Sequence, residues 1–217
     1  ESELKTYIEQ NEVIRNQPSP KHPAKSDSLT PALQHKDPLH PVRLGYVADW
    51  DPYSIESLKK HHSALTHVSP DWFTVIDSSG DLKGKPDLDF IALAKELNIK
   101  VLPLLSNLDN DTWLPEGVEN LAFGDDEKRQ TFFDKVVPYL QSLEVQGAII
   151  DWELLDPSYK NEMTRFLTQF ASAMHRAGME LWLTVPTGLD MDIYDLDALA
   201  PVIDRFIGTL YDETGED

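Results

Sequence analysis

In the stretch GAIIDWELLDP at residues 147–157, an apolar run that is typical of a buried β-strand leads directly into two acids that are one residue apart. Side chains alternate across a β-strand, so Asp151 and Glu153 point to the same face, which they share with Ile149. Burying a carboxylate without a partner costs free energy on the order of what a small domain can lose. Two acids in this position therefore indicate a chemical role.

Around this strand, β-rich runs alternate with helical patterns. Six strands are predicted, beginning at residues 43, 66, 99, 147, 180 and 205. Strands that are nearly all apolar and separated by helices favour a parallel sheet covered by helices. Such a sheet is either doubly wound or closed into a (β/α)8 barrel.

The helix predicted after residue 155 has the clearest ends. Asp156 is its cap, Pro157 takes the first helical position and Gly178 ends it. Five apolar residues form its buried face: Met163, Phe166, Leu167, Phe170 and Met174. Two more helices are predicted in DLDFIALAKELN and DDEKRQTFFDKVVPYLQSLE, the second kinked or shortened by Pro138.

The segment after the first strand favours the barrel. A doubly wound nucleotide-binding sheet would have a glycine-rich turn there, whereas the sequence reads DPYSIESL. Barrel enzymes keep their chemistry at the carboxyl ends of the strands. Polar residues occupy those positions here: Asp49, Asn107, Asp151, Glu153, Thr187 and Asp212. We therefore predict an α/β protein with a TIM-type barrel.

The predicted barrel is incomplete. Six strands are predicted where the fold has eight, and residues 42–217 fall short of the roughly 250 residues that are typical. A sheet that stopped there would leave two unpaired edges. We expect residues 42–217 to be the N-terminal part of a barrel domain in a longer polypeptide.

Residues 1–41 differ in composition from the rest of the chain. They hold 6 of the 15 prolines and 3 of the 7 histidines, without a stripe of apolar residues. Such a composition is typical of a linker. We predict a proline-rich tail that contributes little to the core.

Composition limits the partners and the chemistry. The formal net charge is −19, nearly all of it after residue 41, and such a surface repels phosphate backbones while accepting a neutral or cationic ligand. Nucleic acid is therefore not an expected partner. The absence of cysteine excludes disulfides and thiol catalysis, and the apolar runs are too short to predict a membrane span.

The segment GAIIDWE resembles the D-G-x-D-x-D-x-E signature of the chitinase-type family 18 glycoside hydrolases. The matches are Gly147, Asp151 and Glu153, and the departures are Gln146 and Ile149, where the signature has Asp.

Two other segments extend this resemblance. GTLYDET is similar to the family's Met-x-Tyr-Asp segment and places Tyr211 and Asp212, while LGYVADW is similar to its first strand.

The region from YVADWDPYSIES to THVSPDWFTV resembles, more narrowly, family 18-like modules that some bacteria fuse to a polysaccharide deacetylase and a membrane glycosyltransferase. The shortened D-x-E form occurs in those modules. This resemblance implies an extracytoplasmic location, periplasmic or at the cell surface. It also allows covalent fusion to such domains and a membrane tether outside this chain.

The resemblance implies hydrolysis of β-1,4-linked N-acetylglucosamine polymers, such as chitin or related bacterial glycans, by substrate-assisted retaining catalysis. Glu153 would be the general acid, and Asp151 would orient the acetamido group and stabilise the oxazolinium ion. Tyr211 would hydrogen-bond the acetamido carbonyl oxygen. These steps use neither a metal nor another cofactor.

Five further residues are predicted to bind the oligo- or polysaccharide substrate: Tyr46, Trp50, Asn107, Trp152 and Asp212. Trp72 and Trp113 also lie near strand ends, where a tryptophan is about as often part of the core as a sugar-stacking residue.

Two other functions stay open at this point. The chain could be a noncatalytic glycan-binding module, or an α/β domain in which the two acids form a structural network. Two minor motifs are given structural interpretations. DNDTW at residue 109 lacks the glycine and the glutamate of a calcium loop, and His61 and His62 are expected to face solvent.

Overall fold

The computed structural model describes residues 41–209, apart from residues 49, 78 and 187. Within these residues the strands are β1 (Leu44–Val47), β2 (His67–Pro70), β3 (Phe73–Val75), β4 (Leu82–Gly84), β5 (Lys100–Val101), β6 (Leu104–Ser106), β7 (Leu108–Asp109), β8 (Thr112–Trp113), β9 (Gly147–Asp151), β10 (Glu180–Val185) and β11 (Arg205–Gly208). The α-helices are α1 (Ser54–His61), α2 (Leu88–Glu96), α3 (Pro115–Ala122), α4 (Asp126–Ser142), α5 (Lys160–Arg176) and α6 (Leu196–Leu199). The predicted tail lies outside the described residues except for residue 41.

The main sheet is parallel, as predicted. Strand β2 leads into β3, and β5 leads into β6, so that each pair acts as one interrupted strand. In space the order is β1, β2–β3, β5–β6, β9, β10 and β11, which is also the order along the chain. Six parallel strands separated by helices are the arrangement of a TIM-type barrel, with β1 and β11 at the edges of the part that the structure describes.

Two short antiparallel pairs were not predicted. Strand β4 pairs with β3, and β7 pairs with β8 as a hairpin. The two turn residues of the hairpin, Asn110 and Asp111, have φ of 46° and 60°, the left-handed conformation that a two-residue hairpin turn requires. The DNDTW segment is therefore this hairpin.

The helix predicted after residue 155 is confirmed in its face and its end, but α5 begins at Lys160, because Pro157–Tyr159 form a 3₁₀ turn before it. The Asp156 carboxylate accepts a hydrogen bond from the Ser158 amide at 2.8 Å and caps a 3₁₀ turn that leads into the helix. Gly178, with φ of 76°, follows the helix. All five predicted apolar residues are fully buried.

Helix α4 corrects the prediction for Pro138, because the helix continues through this residue to Ser142 without being shortened. Pro138 lies on the exposed side of the helix, where water can bond the carbonyl that its missing N–H leaves without a partner. The opposite side is held by aromatic packing. Phe133 of α4 stacks on Phe170 of α5 with ring centroids 5.4 Å apart.

The strands separate two apolar regions. Residues on the outer face, such as Ile150 and Leu183, join the large core between the sheet and the helices. Residues on the inner face form a second cluster inside the partial barrel: Leu102, Leu104, Ile149 and Trp182. This inner cluster is the floor beneath the polar residues at the carboxyl ends of the strands.

Candidate active site

The end of β9 carries the two predicted catalytic acids. Ile149 is completely buried in the inner cluster, and Asp151, the last residue of β9 and on the same face, is half-buried above it. Glu153 is half-buried two residues beyond the end of the strand. Both carboxylates therefore lie at the carboxyl end of the partial barrel, next to apolar side chains. This is the position that the sequence predicts for them.

Asp151 has a perturbed acidity. Burial raises the pKa of its carboxyl from 3.8 to about 6, the nearby Thr184 hydroxyl opposes part of this rise, and the charge of Asp71 adds to it. Asp71 and Thr184 are functional candidates that the sequence analysis did not identify. Their places, after β2 and near the end of β10, could have marked them because both are polar residues at carboxyl ends of strands.

The main chain of Glu153 is held by the side chain of Asn107, which follows β6. The Asn107 amide nitrogen donates to the Glu153 carbonyl oxygen at 3.0 Å, and the Glu153 amide donates to the Asn107 side-chain oxygen at 3.0 Å. Asn107 is fully buried. The prediction that it binds substrate is wrong, because its amide is already occupied by this backbone and is closed to solvent.

Trp152 requires a second correction. It is only 1% exposed and lies on the outer face of β9, where its ring packs against Phe166 of α5 at 5.2 Å between centroids. A buried ring on that side cannot stack on a sugar that binds at the carboxyl end of the partial barrel. The alternation that brings Asp151 and Glu153 together turns the residue between them toward the helices.

The main chain next to Glu153 is held on both sides. The Tyr194 hydroxyl donates to the Trp152 carbonyl oxygen at 2.7 Å, and the Asp156 amide donates to a Glu119 carboxylate oxygen at 2.8 Å. Between these contacts, Leu154 has φ of 58°. The chain therefore turns away from the sheet directly after Glu153.

Exposed aromatic rings lie on β1 and in the segment that joins β1 to α1. Tyr46 is 57% exposed and Trp50 is 79% exposed, so both rings are accessible, and Tyr53 adds an aromatic surface that the sequence analysis did not include. Trp72 belongs instead to the core, with its ring 5.7 Å from that of Phe90. Trp113 is half-buried on β8.

Tyr211 and Asp212 lie outside the described residues, as do Asp49 and Thr187. Among the residues that the structure does describe, no group of three or more histidine, aspartate or glutamate side chains is arranged to hold a metal ion. In the same part of the chain, none of the helices combines the length and the apolar character needed to cross a bilayer.

The sequence matches a family model described as Glycosyl hydrolases family 18 over residues 42–217. A curated relative, described as the uncharacterized glycosylase YvbX of Bacillus subtilis, is 21% identical over 146 residues, which cover 67% of this chain and 42% of that protein. The chain thus spans less than half the length of this curated relative.

Solved structures share the fold. A chitinase from Chromobacterium violaceum superposes with a TM-score of 0.70 at 21% identity, covering 79% of this chain and 56% of that one. A class V chitinase from Pseudomonas fluorescens gives a TM-score of 0.74 at 20% identity, with coverages of 81% and 56%. The spore cortex-lytic enzyme SleL of Bacillus megaterium gives 0.71 at 19% identity, with coverages of 80% and 43%.

Proposed function

This chain belongs to family 18 of the glycosyl hydrolases, and we propose that it is part of a glycosidase that cleaves β-1,4-linked N-acetylglucosamine polymers, such as chitin or related bacterial glycans. The observation that supports this proposal best is the placement of Asp151 at the end of β9, above an apolar floor, with Glu153 two residues further along the chain and also half-buried. Substrate-assisted retaining catalysis uses two acids in this arrangement.

In the first step, Glu153 donates its proton to the glycosidic oxygen while the substrate's own acetamido oxygen attacks the anomeric carbon. The bond from that carbon to the leaving oxygen breaks, and a cyclic oxazolinium ion remains. In the second step, water attacks the same carbon and gives a proton back to Glu153. The ring opens to the acetamido group and the product keeps the β configuration, so the protein supplies no nucleophile of its own.

Asp151 acts on the acetamido group. As an anion it accepts a hydrogen bond from the acetamido N–H, which orients the carbonyl oxygen for attack, and its charge stabilises the positive oxazolinium ion. Its partial burial strengthens this interaction, because water screens less in a low-dielectric site. Tyr211 and Asp212 complete the acetamido site in this proposal, and Tyr46 and Trp50 offer rings for sugar faces.

A second candidate is a noncatalytic glycan-binding module. It is favoured by one observation, the fully buried Ile149 at the position where the family signature has an inner acid. In either role the polymer lies outside the cytoplasm, and we propose an extracytoplasmic location. Fusion to deacetylase or glycosyltransferase domains remains part of the same proposal.

The test uses the full-length protein and N-acetylglucosamine oligomers. The Glu153→Gln variant should lose hydrolysis by at least about a thousandfold yet keep its oligomer affinity, since an amide keeps the shape but carries no acidic proton. Glu96→Gln, an exposed acid at the end of α2, is the matched control and should keep wild-type rates. Nuclear magnetic resonance of the first product should show the β anomer.

The outcomes separate the candidate functions. Wild-type protein that binds the oligomers but releases no product over a wide pH range is a binding module. Protein that neither binds nor cleaves them is not a domain for this sugar.

A further inference from the structure

The parallel ladder that holds β9 ends before Glu153. Its last registered pair with β6 joins Ser106 to Asp151, so Glu153 lies two residues beyond the ladder. A side chain that must transfer a proton needs a fixed main chain, and here the strand itself does not provide one.

The side chain of Asn107 takes the place of the missing ladder. Its amide can present one N–H donor and its carbonyl acceptor side by side in one plane, as a paired peptide chain does, and it uses both on the main chain of Glu153. We infer that Asn107 is the positioning residue of the general acid, an inference that rests on the proposed role of Glu153. Asn107 acts through the main chain of Glu153 and does not touch the substrate.

The β7–β8 hairpin fixes Asn107 in turn. The Leu114 amide, just after β8, donates to the Asn107 carbonyl oxygen at 2.8 Å, and the Leu108 amide donates to the Ser106 hydroxyl at 3.0 Å. The hairpin therefore closes around Asn107 and holds its main chain while its side chain reaches across to β9.

The main chain at Leu154, directly after Glu153, would rearrange without the two hydrogen bonds between Asn107 and Glu153. Leu154 holds a left-handed conformation, which is unfavourable for a non-glycine residue and persists only where the surroundings impose it. Without the Asn107 amide, Leu154 can relax and move the Glu153 carboxyl away from the reacting oxygen. A displacement of about 1 Å at a catalytic group can reduce the rate on the order of a hundredfold.

The first test is Asn107→Ala in the full-length protein. We expect kcat to fall by about ten- to a hundredfold while KM changes by less than about threefold, because the carboxyl is misplaced and the sugar contacts remain.

Gln146→Ala is the matched control, since Gln146, just before β9, also bonds main-chain groups through both ends of its side-chain amide, although these groups belong to two different residues. Its side chain accepts from the Val101 amide at 2.8 Å and donates to the Glu144 carbonyl at 2.7 Å. The control should keep its kcat. Equal losses of kcat in both variants would overturn the inference, because they would reflect general loosening of the strand.

Asn107→Asp gives a signature that a purely structural role does not produce. A protonated carboxylic acid has one donor and one acceptor, like the amide, whereas the carboxylate has no donor. The ratio of its kcat to that of wild type at the same pH should rise as the pH falls. A ratio that stays flat, in a folded variant, contradicts the inference.

Hydrogen exchange keeps the inference testable even if the oligomers are not cleaved or the variants do not fold. In wild-type protein the Glu153 amide should be protected as well as the amides of β9, although it lies outside the strand. In Asn107→Ala its exchange should accelerate at least tenfold, and in Gln146→Ala it should not. An unprotected Glu153 amide in wild type contradicts the positioning role, whereas absent hydrolysis with a protected amide contradicts the proposed function alone.

Discussion

The pKa of Asp151 depends on the residues that surround its carboxyl. Beneath Asp151, the side chain of Ile149 offers neither a charge nor a hydrogen bond. The polar group next to the Asp151 carboxyl on β10 is the Thr184 hydroxyl. The carboxyl therefore becomes an anion only at higher pH than an exposed aspartate does. The ionisation of Asp151 should therefore appear in the pH dependence of the reaction rate.

We predict that kcat/KM falls as the pH drops below about 6, the pKa to which burial raises Asp151. The sign follows from the role proposed for the anion. Below this pKa the carboxyl is protonated, and a protonated carboxyl would neither accept the acetamido N–H in the same way nor stabilise a positive ion. Asp151→Asn should lower kcat by about a hundredfold and remove this acid limb. The measurement is a pH profile between 4 and 8, and an unchanged limb in the variant would assign it to another group.

For single residues, the sequence predicts the position of a side chain where that position depends on near neighbours along the strand. Strand alternation places Asp151 and Glu153 together, and applied consistently it also places Trp152 on the opposite face. The contact between Asn107 and Glu153 was not predictable in this way, because it joins a side chain just after β6 to the main chain just after β9. No local pattern encodes such a pair.

Among the strands, β9 and β10 pack closely at the start of β9, where Gly147 has no side chain. A Cβ added at Gly147 would lie 2.3 Å from the Glu180 carbonyl oxygen of β10, a contact with main chain that cannot move aside. Gly45 on β1 differs, since a Cβ there would meet the flexible end of Leu65 at 3.1 Å.

We predict that Gly147→Ala lowers the free energy of unfolding by about 1–3 kcal/mol, because β9 and β10 must separate. Gly45→Ala, as the control, should cost less. Chemical denaturation of both variants measures the difference. If the two variants have equal stability, the closeness of β9 to β10 does not require glycine.

Helix α5 was predictable because its signals are local: a cap, a proline at the start, a stripe of apolar residues and a final glycine. The interruptions between β2 and β3 and between β5 and β6 were not predicted, although the sequence carries a signal for both. Pro70 ends β2, and Pro103 lies between β5 and β6. Proline has no N–H for the ladder, so each interrupted strand breaks near one.

At the scale of the whole molecule, two histidines should make stability depend on pH in opposite directions. Burial lowers the pKa of His67 from 6.5 to about 4, opposed by Glu180 and assisted by Lys100 and Arg205. A hydrogen bond with Asp204, at 2.8 Å, raises the pKa of His175.

We predict that His67 destabilises the fold as the pH falls from 6.5 toward 4, because the unfolded chain binds a proton that the folded chain does not. His175 contributes stability below pH 6.5 and loses it as the pH rises through its raised pKa. Each contributes a slope of at most about 1.4 kcal/mol per pH unit. The measurement is the free energy of unfolding as a function of pH. His67→Gln should lose the decrease in stability below pH 6.5, and His175→Gln should lose the decrease at higher pH. If the pH dependence of His67→Gln runs parallel to that of wild type, the lowered pKa of His67 is not its cause.

The identity between spatial order and chain order in the parallel sheet also bears on how the protein is made. Each strand finds its partner in the stretch of polypeptide synthesised just before it, so the first βα units can pair while the ribosome is still translating the later ones. Short separations between partners favour rapid pairing, since little chain entropy is lost in closing each connection. A nascent chain of this kind would carry a single growing sheet edge, and each newly emerged strand would cover the edge left by the one before it.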